Sequence, residues 1–249
     1  MQTSYYKEYS RFLKREMEFK VYGHAGQPCL ALPCEGGRFY DWEDRGLAAS
    51  LAPFIEGGQL RLFCADGVDG ESWLSGGEGR PRAEMQERWF NYLCGELVPR
   101  ALGLAGEAGR GNCRLLAMGA GLGALHAVSL YLRRPALFCG AVGLSGSYKA
   151  GGWFGGYSDD LTLRSSPVDL LRLLPREKLP TGGPLLLCCG QGPYEERFLA
   201  ETRELAAALA ARQVPHTLEL WGADSAHDWP WWQKQLPIFV GRALAALGA

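Results

Sequence analysis

The sequence contains no apolar run approaching the ~18 residues that suggest a membrane-spanning helix, so no membrane association is expected. It contains no basic run either. Its 26 lysines and arginines stand against 27 acidic residues, which leaves no electrostatic footprint for nucleic acid. Low-complexity tracts and internal repeats are missing, which argues against a linker-rich or solenoid chain. The first residues, Met1-Gln2-Thr3-Ser4-Tyr5-Tyr6-Lys7-Glu8, are polar and lack the apolar segment of a secretory signal. That, with the reduced thiols expected from the cysteine settings, makes a cytoplasmic protein the expectation.

Eight cysteines are present, but the spacings that would give them metal or redox work are not. No pair has C-x-x-C spacing, and the close pair Cys29 and Cys34 has no matching second pair. Cys29, Cys64, Cys113, Cys139, Cys188 and Cys189 lie within or beside apolar runs, where a thiol behaves as a small hydrophobe. Reduced structural thiols are expected, with no metal and no cofactor. Asp66, Asp69 and Glu71 cluster in Asp66-Gly67-Val68-Asp69-Gly70-Glu71-Ser72-Trp73, but not with the spacing of a twelve-residue calcium loop.

What the chain does have is enough apolar residue, 47% of 249, for one large core. A single domain over residues 1–249 is expected. Short apolar runs at Pro28–Leu32, Leu60–Cys64, Cys113–Met118, Phe138–Leu144, Pro184–Cys189 and Thr217–Trp221 read as strands. Helical patterns lie at Leu47–Ile55, Ala83–Leu102, Ala124–Arg134, Glu195–Arg212 and Trp231–Leu247. Arg15–Tyr22 reads as an early strand, paired in a hairpin with Ser10–Lys14. Alternating strands and helices predict an α/β chain with a doubly wound, mostly parallel sheet in three layers. Chemistry is then sought in the loops at the carboxyl ends of the strands.

The most informative of those loops is Gly119-Ala120-Gly121-Leu122-Gly123. Strand, glycine-tight turn and helix look like the nucleophile elbow of the α/β-hydrolases, G-x-S-x-G, with Gly121 where the serine would stand. The same residues fit a dinucleotide fingerprint, G-x-G-x-x-A, but the region about 20 residues on has no carboxylate for a ribose hydroxyl. A nucleotide is therefore not expected. In Pro33-Cys34-Glu35-Gly36-Gly37, Gly36 is the candidate for one oxyanion-hole N–H, with Leu122 as the other. Glu195 follows the Pro184–Cys189 strand and is the candidate acid, with Glu196 next to it. His227 stands just before the last helix and is the candidate base. The other three histidines, His24, His126 and His216, sit where surface or packing roles are expected.

The chain resembles bacterial α/β-hydrolases of esterase type, related to the esterase D and feruloyl esterase-like families. The resemblance runs over nearly the whole length. It rests on Val21-Tyr22-Gly23-His24-Ala25-Gly26, Gly36-Gly37-Arg38-Phe39-Tyr40, Asp69-Gly70-Glu71-Ser72-Trp73, Gly123-Ala124-Leu125-His126-Ala127, Ser166-Pro167-Val168-Asp169, Gly190-Gln191-Gly192 and His227-Asp228-Trp229-Pro230-Trp231-Trp232. It implies an α/β-hydrolase fold, an acid and a base, and a serine at the position of Gly121. The expectation is a pseudoenzyme that keeps the pocket and the His/Glu pair, with a small ester or acyl ligand or a protein as partner. The alternative is an active carboxylic-ester hydrolase, in which Ser145, Ser147 or a water activated by His227 attacks.

Overall fold

The computed structural model describes residues 1–107 and 114–248. Among the described residues eight strands form one sheet: β1 Thr3–Ser10, β2 Arg15–Tyr22, β3 Gln27–Ala31, β4 Leu60–Ala65, β5 Leu115–Ala120, β6 Phe138–Leu144, β7 Leu185–Cys189 and β8 Thr217–Leu220. Their spatial order is β1-β2-β4-β3-β5-β6-β7-β8. The β1–β2 and β2–β4 pairs are antiparallel and every other pair is parallel. The helices are α1 Asp41–Asp44, α2 Leu47–Ser50, α3 Ala52–Glu56, α4 Gly79–Tyr92, α5 Val98–Glu107, α6 Leu122–Arg133, α7 Asp160–Ser165, α8 Pro167–Leu173, α9 Glu196–Ala211 and α10 Trp229–Leu247.

The period of two along each central strand divides the core into two halves. Leu30, Phe63, Leu115 and Ala117 face one side, where α4, α5, α6, α8 and α9 pack through Trp89, Leu104, Val128, Leu170 and Leu205. Cys29, Ala31, Leu62, Leu116 and Met118 face the other, covered by α1–α3 and α10 through Trp42, Leu51, Ile55, Trp232, Leu236 and Phe239. Helix, sheet, helix make the three layers. A smaller cluster of Trp73, Leu122, Leu125, Phe154 and Leu161 caps the carboxyl end of the sheet beside α6. Among the described residues no helix is long and apolar enough to cross a membrane.

Several elements differ from the sequence reading. The hairpin partner of β2 is Thr3–Ser10, paired from Thr3 with Tyr22 to Ser10 with Arg15, so residues 11–14 are its turn. Strand β1 is an edge strand with most positions exposed; of its inward positions only Tyr6 is apolar and packs on the core, so no apolar alternation shows in the sequence. Strand β5 runs on to Ala120, because Gly119 and Ala120 continue the pairing with Gly143 and Leu144 of β6. Cys113, expected to open that strand, lies outside the described residues. The expected helix Ala83–Leu102 is longer and interrupted by a π-helical turn at Leu93–Leu97. Pro99 has no N–H for the carbonyl of Gly95, and a widened turn accommodates that loss. Helices α7 and α8 were not anticipated. The first begins at a capping box, in which Asp159 accepts from the N–H groups of Leu161 and Thr162.

Candidate active site

Gly121 is the single residue between β5 and α6, with φ 55° and ψ −123°. A side chain is strained in that conformation and glycine is not. Its N–H donates to Leu144 O at 3.0 Å, and its carbonyl accepts from Ala124 N at 3.2 Å and Ser147 N at 3.3 Å. These bonds hold the turn against the end of β6. Gly119 and Gly123 bring the strand and the helix together. A Cβ on Gly119 would overlap the carbonyl group of Gly123, and one on Gly123 would stand 2.6 Å from Pro33 O. The same contact fixes the loop after β3 beside the turn, and Trp42 Nε1 donates to Leu32 O at 3.0 Å to anchor it from below.

Glu195 and His227 are brought together by the loops after β7 and β8. Gly192 N donates to Ser225 O at 2.9 Å, and His227 N donates to Pro193 O at 3.1 Å, so the two loops form one unit. Glu195 is fully buried. It accepts from Ser145 Oγ at 2.6 Å, Gly190 N at 3.2 Å and Cys189 Sγ at 3.3 Å. His227 Nδ1 lies 3.4 Å from its Oε2, a long contact in which the imidazole N–H is the donor. Phe198 stacks on the imidazole at 3.7 Å between ring centres, and Trp232 meets it edge-on at 4.9 Å. The ring is therefore oriented on three sides. Burial pushes the Glu195 carboxyl up, but the hydrogen bonds from His227 and Ser145 outweigh it and leave it below its ordinary value. Glu196, the other candidate acid, is exposed on the first turn of α9.

The loop after β3 departs from expectation. Gly36 N–H, the candidate oxyanion donor, donates instead to Asp69 Oδ2 at 3.0 Å, because the loop after β4 folds against it. Leu122 N–H does point into the space above the turn, but it donates to Glu35 Oε1 at 3.1 Å. The other oxygen, Oε2, accepts from the thiol of Cys34. A Cβ built on Gly121 would lie 2.7 Å from Glu35 Oε2 and 2.9 Å from Cys34 Sγ. Glu35 thus fills the place a side chain at position 121 would take. Burial first, and then the neighbouring Glu35 carboxylate, push the Cys34 thiol well up, so it stays protonated as a donor. The sequence drew attention to Gly36 and passed over Glu35. The available signal was a carboxylate in the loop that faces an elbow with no central side chain.

The hydroxyls of Ser145 and Ser147 are both engaged by carboxylates. Ser145, at φ 46°, is fully buried with its hydroxyl donated to Glu195. Ser147 Oγ donates to Glu201 at 3.0 Å and accepts from Trp153 Nε1 at 2.9 Å. Ser145 is instead the link between turn and pair: its neighbours Leu144 and Ser147 bond Gly121, and its hydroxyl meets Glu195. Trp153 is held by Ser147, and Phe154 packs on Trp73 at 5.1 Å, so this stretch is packed in place. His126 is buried between the rings of Trp73 and Trp89. In the acidic loop, Asp66 pairs with Arg38, Asp69 bonds Gly36 and Glu71 pairs with Arg15.

No family model and no curated protein matches the chain. Solved structures do. A ferulic acid esterase superposes with a TM-score of 0.73 at 13% identity, over 98% of each chain. The S-formylglutathione hydrolase of Agrobacterium tumefaciens gives 0.76 at 16% identity, over 98% of this chain and 95% of the other. The ferulic acid esterase of the anaerobic fungus Anaeromyces mucronatus gives 0.68 at 13%, over 99% and 91%. The chain has the α/β-hydrolase fold. Ligands of open α/β sheets lie at the carboxyl ends of the strands; there stand Glu35, Gly121 and Leu122 in one contact group and Glu195 with His227 in another, linked through Ser145 in the loop after β6.

Proposed function

We propose that this α/β-hydrolase fold is an esterase scaffold without its nucleophile, a pseudoenzyme that binds a small ester or acyl ligand. The observation that carries the reading is Gly121. It occupies the strand-to-helix turn in a backbone conformation suited to a nucleophile elbow, with no side chain, beside a Glu195–His227 pair. Glycine stands there where an active esterase would have serine. The ligand class is taken from the esterases and the hydrolase that share the fold.

In a serine esterase the hydroxyl attacks the acyl carbon, the histidine takes its proton, and backbone N–H groups hold the resulting oxyanion. This chain retains a base oriented by an acid and one N–H at the start of α6. It has no attacking oxygen, and the Leu122 N–H is already bonded to Glu35. Losing a triad member leaves at most ~10³–10⁴-fold acceleration over water. Hydrolysis of short-chain nitrophenyl esters by the natural chain is therefore expected to match that of His227→Ala within error. The second reading, water activated by His227, is favoured by one observation: the imidazole turns Nδ1 toward Glu195, as a base oriented by an acid does. Robust turnover that His227→Ala abolishes would establish that reading and remove the first.

A further inference from the structure

The side chain of Glu35 does what a bound ligand would do. One oxygen accepts the N–H of Leu122, the first residue of the twelve-residue helix α6, and the other accepts the Cys34 thiol. Both oxygens lie within 2.9 Å of the point where a Cβ of residue 121 would stand. A carboxylate is favoured there by the helix dipole and by charge-assisted bonding. It cannot also be the missing nucleophile, because it accepts the same N–H that an attacked carbonyl would need. We infer that Glu35 is an internal plug, an autoinhibitory carboxylate that occupies the oxyanion position and is displaced when a ligand oxygen takes Leu122 N–H.

This inference rests on the reading of the turn as a disarmed elbow, and it gives that site a regulation. Opening needs little backbone movement. Gly36 N–H stays on Asp69 and Gly123 stays against Pro33, so rotation of the half-buried Glu35 side chain is enough. Gly121 and Glu35 are also matched to each other. A serine at 121 would meet the Glu35 and Cys34 side chains before it met a substrate. Restoring the hydroxyl alone therefore leaves the plug in its way.

The test uses the full chain as Glu35→Ala, Glu35→Gln, Gly121→Ser and the Gly121→Ser, Glu35→Ala pair. Two readouts are taken. The first is the amide signal of Leu122 in ¹⁵N spectra, followed during titration with acetate. It should shift in Glu35→Ala and less in Glu35→Gln, and acetate should move it back toward the natural position only in Glu35→Ala. An amide indifferent to Glu35→Ala overturns the plug. The second is labelling by a fluorophosphonate, in which the serine oxygen attacks phosphorus, fluoride leaves and His227 takes the proton. The double variant should label about tenfold faster than Gly121→Ser, or more, as loss of one charge-assisted hydrogen bond implies. Equal and rapid labelling of both serine variants overturns the plug while leaving the disarmed elbow intact. A responsive Leu122 amide with no labelling of either removes the elbow reading and the plug with it, and leaves only the structural hydrogen bond between Glu35 and Leu122.

Discussion

Gly119→Val is expected to prevent folding, and Gly119→Ala to cost more than ~4 kcal/mol, in the range reserved for severe defects. A Cβ at this position would overlap the backbone carbonyl of Gly123 and lie 2.7 Å from Ala124 N. No rotamer relieves a clash between two backbones. Relief requires α6 to lift from β5, and the turn at Gly121 together with the packing of Leu122, Ala124 and Val128 would go with it. Domains are commonly stable by only ~5–15 kcal/mol, so such a loss takes much of the total. Gly121→Ser is a different case, because its Cβ meets only side-chain ends. Its cost is the positive φ, about 1–3 kcal/mol, plus displacement of the Glu35 carboxylate. Urea unfolding followed by circular dichroism measures both. A Gly119→Ala midpoint close to that of the natural chain would show that strand and helix are not in contact at this point.

The second large effect is at Glu195. Glu195→Ala should destabilise the fold by ~3–5 kcal/mol, the usual result of breaking a buried charged network from one side. Ser145, Gly190, Cys189 and His227 would each lose an acceptor in a buried place. Glu195→Gln keeps the shape and should cost less. The two also differ with pH. The folded carboxyl titrates below its ordinary value, so its stabilisation is complete above the unfolded pKa of ~4.3 and fades as pH falls through the folded pKa. The stability gap between the natural chain and Glu195→Gln should be level from about pH 6 to 8 and narrow below about pH 4. Urea midpoints across that range decide it. A gap that persists undiminished into strong acid would mean that the carboxylate charge is not what the donors recognise.

The parts of this molecule that were legible in the sequence are those written in local patterns. The central strands are bounded by Gly, Pro or Asp, and α9 shows Phe198, Leu205 and Leu209 near helical spacing. Gly119, Gly121 and Gly123 mark their turn by composition alone, because backbone approach and positive φ leave a trace in residue type. Strand β1 left little trace because its inward side carries one apolar residue, Tyr6, between Ser4 and Ser10. The register by which β5 extends to Ala120 was set by β6, which no local window contains. At the candidate site, Glu195 and His227 were placed by their position after late strands. The direction of the Gly36 N–H and the Glu35 side chain depends on loops from three different strands meeting, and no residue pattern announces it.

Helix α10 covers one face of the sheet with Trp232, Leu236, Phe239, Val240, Ala243 and Leu244, opposite Cys29, Leu62 and Met118. The ribosome makes that cover after every strand of the sheet. Residues 60–65 of β4 are complete long before Trp229, where α10 begins. At ~5–20 residues per second the apolar face then waits roughly 10–35 s for the helix that will bury it. Throughout that time it is a surface open to other nascent chains and to chaperones. A chain stopped at Asp228 is accordingly expected to bind a hydrophobic dye such as ANS and to collect in the insoluble fraction, whereas dye-free, soluble material would mean that α1–α3 can shield the face alone.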